Sequence, residues 1–430
     1  ACAVATPPPP PPAQSDAARA GERGNGRDLV VLGVETSCDD TCVAILKSRR
    51  RNRDDWDLVG ENENDKVEVL ANQLASQFGI HAEYGGIVPR LAVRAHQDNL
   101  PQVLEKAFEE ASMTWQNIDA IAVTRGPGLS PCLWAGLSTC CDAAQQYEIP
   151  LIDINHLEAH ALMPRLTQGP QTLRFPFLTL ICSGGHTMLM LVRGVRQYEV
   201  LGTTLDDAVG ETFDKVARAL RVEGHEGHLG AGLERLAAEG CAERGPAFRV
   251  PMENYGDTCN FSFSGLKSAA TRAVKALEKR AQGGTLDSAS ADIAAAFQAT
   301  AVKHLTRGTR RALAFLGHRV SRSAPRNIVR NFDRDVERRP ATLRHELPSA
   351  LVLSGGVASN EFLRAEMRKL ASYFEDDLRL HHPPAALCTD NGVMVAYAAL
   401  EILSDKRWLD DFARRDPTEL QADPQWRFLD

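Results

Sequence analysis

The 430-residue sequence predicts an α/β protein of two lobes, each built on a copy of one unit. Three observations point there. Apolar runs of strand length alternate along the chain with longer stretches of helical spacing. Residues 29–34 and 41–46 read as two strands joined by a polar turn, and residues 177–182 and 188–192 repeat that plan around a glycine turn. Glycine- or hydroxyl-bearing turns follow strand after strand, and a duplicated hairpin unit places a cleft between two lobes with both turns facing it.

Composition sets the outer bounds. With 43% hydrophobic and 24% charged residues, the chain is an ordinary globular one with length for two or three domains. No run of about 18 apolar residues exists, so no membrane partner is expected. The net charge of −7 argues against indiscriminate nucleic-acid binding, while a local basic patch remains compatible with RNA. Ten cysteines without C-x-x-C spacing read as reduced thiols of an intracellular compartment. The first residue is Ala1, which fits removal of a leader.

Taken in order, residues 1–27 carry the run Pro7 to Pro12 and almost nothing to bury, which predicts a disordered tail. The first lobe is expected over 28–150, with a charged, solvated insertion at 47–66. Its hairpin turn, Glu35 to Asp40, has hydroxyls and backbone N–H groups to offer a phosphate. Residues 67–77 read as strand or turn, 81–89 as a glycine loop, 91–111 as a helix and 118–123 as a strand. Gly126 and Gly128 then permit close backbone approach before a small-residue helix over 132–146. The second lobe is expected over 151–392 and a helical segment over 393–430, whose helices could pack back on the first lobe. Within the second lobe, a helix opens near Asp206, a loop spans 224–232, and a strand-to-helix turn covers 260–267. A long helix follows over 291–316, then a basic insertion without periodicity at 317–348. Residues 350–354 read as a strand, 355–360 as a glycine turn and 361–374 as a helix, a good cradle for an anion or nucleoside.

The candidate chemistry centres on residues 149–160. An apolar strand ends at Asn155, a good helix N-cap, so His156 and His160 leave one face of the helix that follows. Two such imidazoles are half of a metal site that a carboxylate from elsewhere would complete; the spacing alone is equally that of surface or capping histidines. The H-E-x-x-H motif of zinc proteases is absent, because Glu158 stands two residues after the first histidine.

Eight stretches together resemble one family. They are Val34-Glu-Thr-Ser-Cys-Asp-Asp40, Gly126-Pro-Gly128, Asn155-His-Leu-Glu-Ala-His160, Ser183-Gly-Gly-His-Thr187, Asp206-Asp-Ala-Val-Gly-Glu-Thr-Phe-Asp214, Phe261-Ser-Phe-Ser-Gly-Leu-Lys267, Ser354-Gly-Gly-Val-Ala-Ser-Asn360 and Cys388-Thr-Asp-Asn-Gly392. In this order, over about residues 29–405, they are similar to the tRNA N6-adenosine threonylcarbamoyltransferases, once called O-sialoglycoprotein endopeptidases. The resemblance implies the two-lobed actin/Hsp70/sugar-kinase fold of duplicated ribonuclease-H-like units. It implies one divalent metal ion per subunit, zinc or iron, on His156, His160 and Asp390. It implies substrate contacts at Ile181, Cys182, Ser183, Gly184, Gly185, Asp214, Gly230 and Asn360. Gly230 is reached by counting back from Leu233, since the chain reads Gly227-His228-Leu229-Gly230-Ala231 where the family has tyrosine-proline-glycine-glycine-proline. The implied partners are tRNA and a separate synthase that supplies threonylcarbamoyl-AMP; a homodimer is left open. The S-G-G-H-T turn matches the bacterial and mitochondrial branch, which implies the mitochondrial matrix.

The reaction so implied moves a threonylcarbamoyl group from its anhydride with AMP to N6 of the adenosine 3′ to the anticodon. No protein nucleophile is required. Three rivals come from other classes. A metalloprotease lacks its motif and has no use for a nucleotide cradle. An ATP-dependent kinase or ATPase of the same fold would hold magnesium through acids and water, not a histidine pair. A non-enzymatic actin-like scaffold has no need of the intact set of site residues.

Overall fold

The computed structural model describes residues 28–48, 67–222, 229–255, 258–281, 288–321, 323–339, 347–375, 378–405 and 417–426. The expected tail at 1–27 and almost all of the insertion at 47–66 lie outside the described residues.

Two five-stranded sheets share one plan. The first has β1 (Leu29–Glu35), β2 (Asp40–Ser48), β3 (Glu68–Ser76), β4 (Ala120–Gly126) and β5 (Leu151–Asn155) in the order β3-β2-β1-β4-β5. The second has β6 (Phe177–Cys182), β7 (Thr187–Gly194), β8 (Gln197–Thr203), β9 (Ala350–Ser354) and β10 (Arg379–His381) in the order β10-β9-β6-β7-β8. In each, three antiparallel strands lead and two parallel strands follow. The duplicated hairpin is therefore the start of a duplicated sheet. β1, β4, β6 and β9 are buried almost end to end, which is why they read as unbroken apolar runs and not as alternating ones.

The helices between them are α1 (Phe78–Ala82), α2 (Pro89–Ala111), α3 (Ser130–Tyr147), α4 (His156–Gln168), α5 (Val209–Ala219), α6 (Leu229–Glu239), α7 (Ser264–Ala281), α8 (Ser288–Leu316), α9 (Arg326–Glu337), α10 (Glu361–Ala371) and α11 (Gly392–Ser404). Every residue of α11 from Gly392 to Leu403 is buried, as its apolar sequence all round demands. It lies against β1 and β2 as closely as backbones allow: a Cβ on Gly33 would stand 2.5 Å from Ala396 N. A buried ion pair, Arg165 Nε to Glu401 Oε1 at 2.7 Å, ties α4 to α11. Arg165 Nη1 also donates to Leu173 O at 2.5 Å, and Tyr397 donates to Glu401 at 2.6 Å, so these buried charges are hydrogen-bonded.

Four expectations change. β5 is an edge strand of the first sheet, in parallel register with β4, so the first lobe runs past residue 150. The segment at 317–348 contains α9, where the expected loop had no periodicity. Ile328, Val329, Phe332 and Val336 in fact recur at helical spacing among the charges, and Phe332 and Asp335 are the members buried. Residues 223–228 of the expected 224–232 loop lie outside the described residues, and from Leu229 onward the chain is α6, so Gly230 stands in a helical first turn. The edge strands β8 and β10 were not anticipated, being half-exposed and three residues long respectively.

Candidate metal centre and cleft

The N-terminus of α4 is fixed by Asn155, whose side chain accepts from Leu157 N at 2.9 Å and Glu158 N at 3.3 Å. That cap sets the first turn from which His156 and His160 project, with ring centroids 4.7 Å apart. The loop before α11 brings Asp390 to them. Its Oδ1 lies 3.0 Å from His160 Nε2 and 3.7 Å from His156 Nε2. Among the described residues these three form a group whose ligand atoms all fall within 4.8 Å of one another. Both imidazoles are buried, while the Asp390 side chain keeps 22% of its exposure, so the site opens on one side.

The last residue of β1 and the turn after it hold the first histidine. Glu35 Oε2 is 3.1 Å from His156 Nδ1 and accepts from Thr124 Oγ1 at 2.6 Å, while Glu35 Oε1 accepts from Ser37 N at 2.5 Å. Ser37 Oγ is a further contact, 3.3 Å from His156 Nδ1. A carboxylate only accepts, so the Nδ1 proton points at Glu35 and the Nε2 lone pair of a neutral His156 faces Asp390. Burial alone would push the Glu35 carboxyl up; the His156 charge and hydrogen bond outweigh it and hold it below its ordinary value. Burial likewise works against a charged His156, but Asp390 and Glu35 lift it to about 9. Burial would raise Asp390, and His156 and His160 hold it well below the usual carboxylate range. His156 and Asp390 thus form a buried ion pair, and a cation bound there would displace the His156 proton.

The donor set fits such a cation. Two imidazole nitrogens and a carboxylate oxygen converge on one point, a carboxylate orients one ring from behind, and His160 Nδ1 is buried without a partner. Zinc and iron both accept this mixture of ligands.

Across the cleft the second hairpin turn is organised differently. Ser183 N donates to His186 O at 2.8 Å and His186 N to Ser183 Oγ at 3.0 Å, which closes the turn on itself. Gly184 and Gly185 are exposed, and nothing lies within 4 Å of where a Cβ on either would stand. Gly210 lets the start of α5 touch this turn, since a Cβ there would meet Ser183 O at 2.5 Å. His186 is 5.9 Å from the His156 ring, and burial, then the charges of His156 and His160, push it down to about 4.

The remaining expected contacts divide. Asp214, on α5, lies beside Gly230: its Oδ1 is 4.0 Å from where a glycine Cβ would be. Ile181 and Cys182 turn their side chains into the core, so only their main chain is available to a ligand. Burial pushes the Cys182 thiol far up, which suits no nucleophile. Asn360 caps α10, accepting from Leu363 N at 2.8 Å and donating to Gln298 at 2.9 Å. Glu35 and Thr124 escaped the sequence reading. Glu35 was visible there only as an acid in a turn expected to serve phosphate; in the structure Glu35, Thr36 and Ser37 bond within the protein, while Asp40 Oδ1 is buried without a partner among the described residues.

A sequence profile of the tRNA N6-adenosine threonylcarbamoyltransferases matches residues 68–397. The chain belongs to that family. A relative from Arabidopsis thaliana named a probable mitochondrial tRNA N6-adenosine threonylcarbamoyltransferase is 37% identical over 93% of this chain and 75% of its own length. A Rhizobium etli threonylcarbamoyltransferase is 41% identical over 86% of this chain and 88% of its own. Membership makes this threonylcarbamoyltransferase-family chain an enzyme of tRNA modification. The fold is that of the actin/Hsp70/sugar-kinase group. The crystal structure of T. kodakarensis HypF superposes with a TM-score of 0.50 at 15% identity, over 90% of this chain and 48% of that one.

Proposed function

We propose that this chain transfers the threonylcarbamoyl group of threonylcarbamoyl-AMP to N6 of the adenosine 3′ to the anticodon of tRNA. The observation that carries the reading is the meeting, in one cleft, of the His156–His160–Asp390 group and the open Ser183–Gly184–Gly185 turn.

An exocyclic amine is a weak nucleophile, so the site must orient it, polarise the carbamoyl carbonyl and stabilise AMP as it leaves. His156, His160 and Asp390 would hold a divalent ion, zinc or iron, with Glu35 fixing the His156 ring. When bound, that ion supplies Lewis acidity and positive charge opposite the phosphate. The main chain of residues 181–185 would hold the adenylate, with Gly184 and Gly185 leaving room for close approach. Asp214 would accept from ribose hydroxyls beside Gly230, while Asn360 shapes the floor through its cap on α10. The N6 amine adds to the carbamoyl carbon, the bond from that carbon to the phosphate oxygen breaks, and the proton shed by N6 passes to solvent. A separate synthase would make the adenylate from threonine, bicarbonate and ATP. The mitochondrial name of the Arabidopsis relative supports a place in the mitochondrial matrix.

The test is nucleoside analysis of tRNA incubated with the protein, the synthase, threonine, bicarbonate and ATP. Threonylcarbamoyladenosine should accumulate with equimolar AMP release that depends on tRNA. Modification without the protein, or AMP release without tRNA, contradicts the reading.

A further inference from the structure

We propose that the outward face of α9 is a contact surface for the phosphate backbone of tRNA, an inference that rests on the transferase reading. Arg326, Arg330 and Arg334 recur every fourth residue, and all three are exposed. Four residues of helix rise about 6 Å, so the guanidinium groups form a line along one face. Among the described residues none of the three has an ion pair, unlike neighbours in the same lobe such as Arg221 with Glu278 and Arg244 with Asp292. With Asp335 turned inward, the outer face carries these three cations against Asp333 and Glu337, a small positive excess on a chain whose net charge is −7.

That helix is firmly mounted. On its inner face Phe332 is 5% exposed and packs against the Phe374 ring at 5.7 Å. Asp335 is buried and accepts from Arg310 Nε at 3.0 Å and Arg311 Nε at 3.4 Å, which pins α9 to α8. The outer face is shaped: the three arginines line a concavity of about 470 Å³ with Val329 and two acids, Asp333 and Glu337. The acids keep the face from being uniformly basic, and they oppose an anion lodged there.

Position selects the partner. α10 is capped by Asn360, which the transferase reading places at the donor, and Phe374 follows its far end. Eleven helical residues span about 16 Å, so α9 stands well away from the reacting groups. A free nucleotide cannot occupy both places at once. A folded RNA whose modified adenosine sits in the cleft can, with a stem laid along α9. The contact would read charge and spacing, not bases.

The experiment measures binding of full-length tRNA to the intact chain across a potassium chloride series, with the variant R326A/R330A/R334A beside the wild type. Each phosphate contact contributes about 0.7–0.9 to the slope of log K against log salt. The triple variant should therefore lose about 2–3 from that slope. Between about 50 and 200 mM salt, its affinity should fall roughly 20- to 40-fold less than that of the wild type. Its KM for tRNA at low salt should rise, with metal content and circular dichroism preserved. D333N/E337Q should move the other way, binding tRNA more tightly than the wild type. An unchanged slope and KM in a correctly folded triple variant would overturn the proposal and leave α9 a solvated face. So would loss of binding to phosphatidylserine vesicles with tRNA binding intact, which reassigns the face to a membrane. Intact salt-dependent binding of tRNA by a wild type that modifies none would remove the transferase reading while leaving the α9 contact standing.

Discussion

The turn between β1 and β2 and the turn between β6 and β7 hold equivalent places in two sheets of one strand order, and they present opposite chemistry to the cleft. The first turns most of its polar groups on the protein: Glu35 takes the Ser37 N–H, the Thr124 hydroxyl and the His156 ring, and Thr36 donates to Cys132 O at 2.9 Å. Among the described residues the second bonds to itself and to α5, and its two glycines leave open space. The strands need apolar side chains to be covered on both faces, and that requirement is the same in both copies. The turns carry no such burden. One copy has become the rear support of a cation site, the other a place for an anion to approach backbone.

Breaking the first half of this comparison should have the largest effect. Asp390→Asn keeps the shape of the third ligand but loses its charge and its stronger donor, so the rate of tRNA modification should fall by about 10²–10³-fold. Near-normal turnover would remove Asp390 from the chemistry. Glu35→Gln acts one step back. With the ring no longer oriented by a carboxylate, metal affinity should drop by about 10- to 100-fold in a competition titration. An unaltered affinity would reduce the first turn to packing.

The second half is probed by Gly184→Val. A side chain there meets nothing in the protein, so melting temperature should hold. The space for the adenylate is filled, and KM for the donor should rise about tenfold or more, about 1.4 kcal/mol. If KM stays put, the open turn is not where the donor binds. Asp214→Ala is expected to be the mildest, with donor affinity weakened about two- to tenfold, as for one hydrogen bond. A collapse of stability with donor affinity unchanged would make Asp214 a helix residue only.

Much of this was legible in the residues because the information is local. The strand runs, the Asn155 cap and the four-residue spacing of His156 and His160 each follow from neighbours in sequence, and each stands in the structure. Asp390 is far from the histidines in the chain, and only the family resemblance joined it to them. The approach that brings them together depends on Gly33 and Gly392, where α11 meets β1 and β2, a packing event with no periodic signature. Glu35 was visible as an acid in a turn, but its partner lies across the fold. α9 is a different case: Ile328, Val329, Phe332 and Val336 stand at helical spacing, so its signal was present but set among the charges and prolines of the surrounding segment. Asn360, carried over as a ligand contact, uses its side chain to cap α10 and to donate to Gln298, a pairing that its sequence neighbours alone would not show.

The division of labour between the two turns is tested most directly by metal content per chain, measured by elemental analysis on Asp390→Asn and Gly184→Val purified side by side with the wild type. The account predicts that Asp390→Asn loses the ion while Gly184→Val retains it in full, although both are impaired in transfer. Full occupancy in Asp390→Asn, or loss of the ion in both variants, would contradict it.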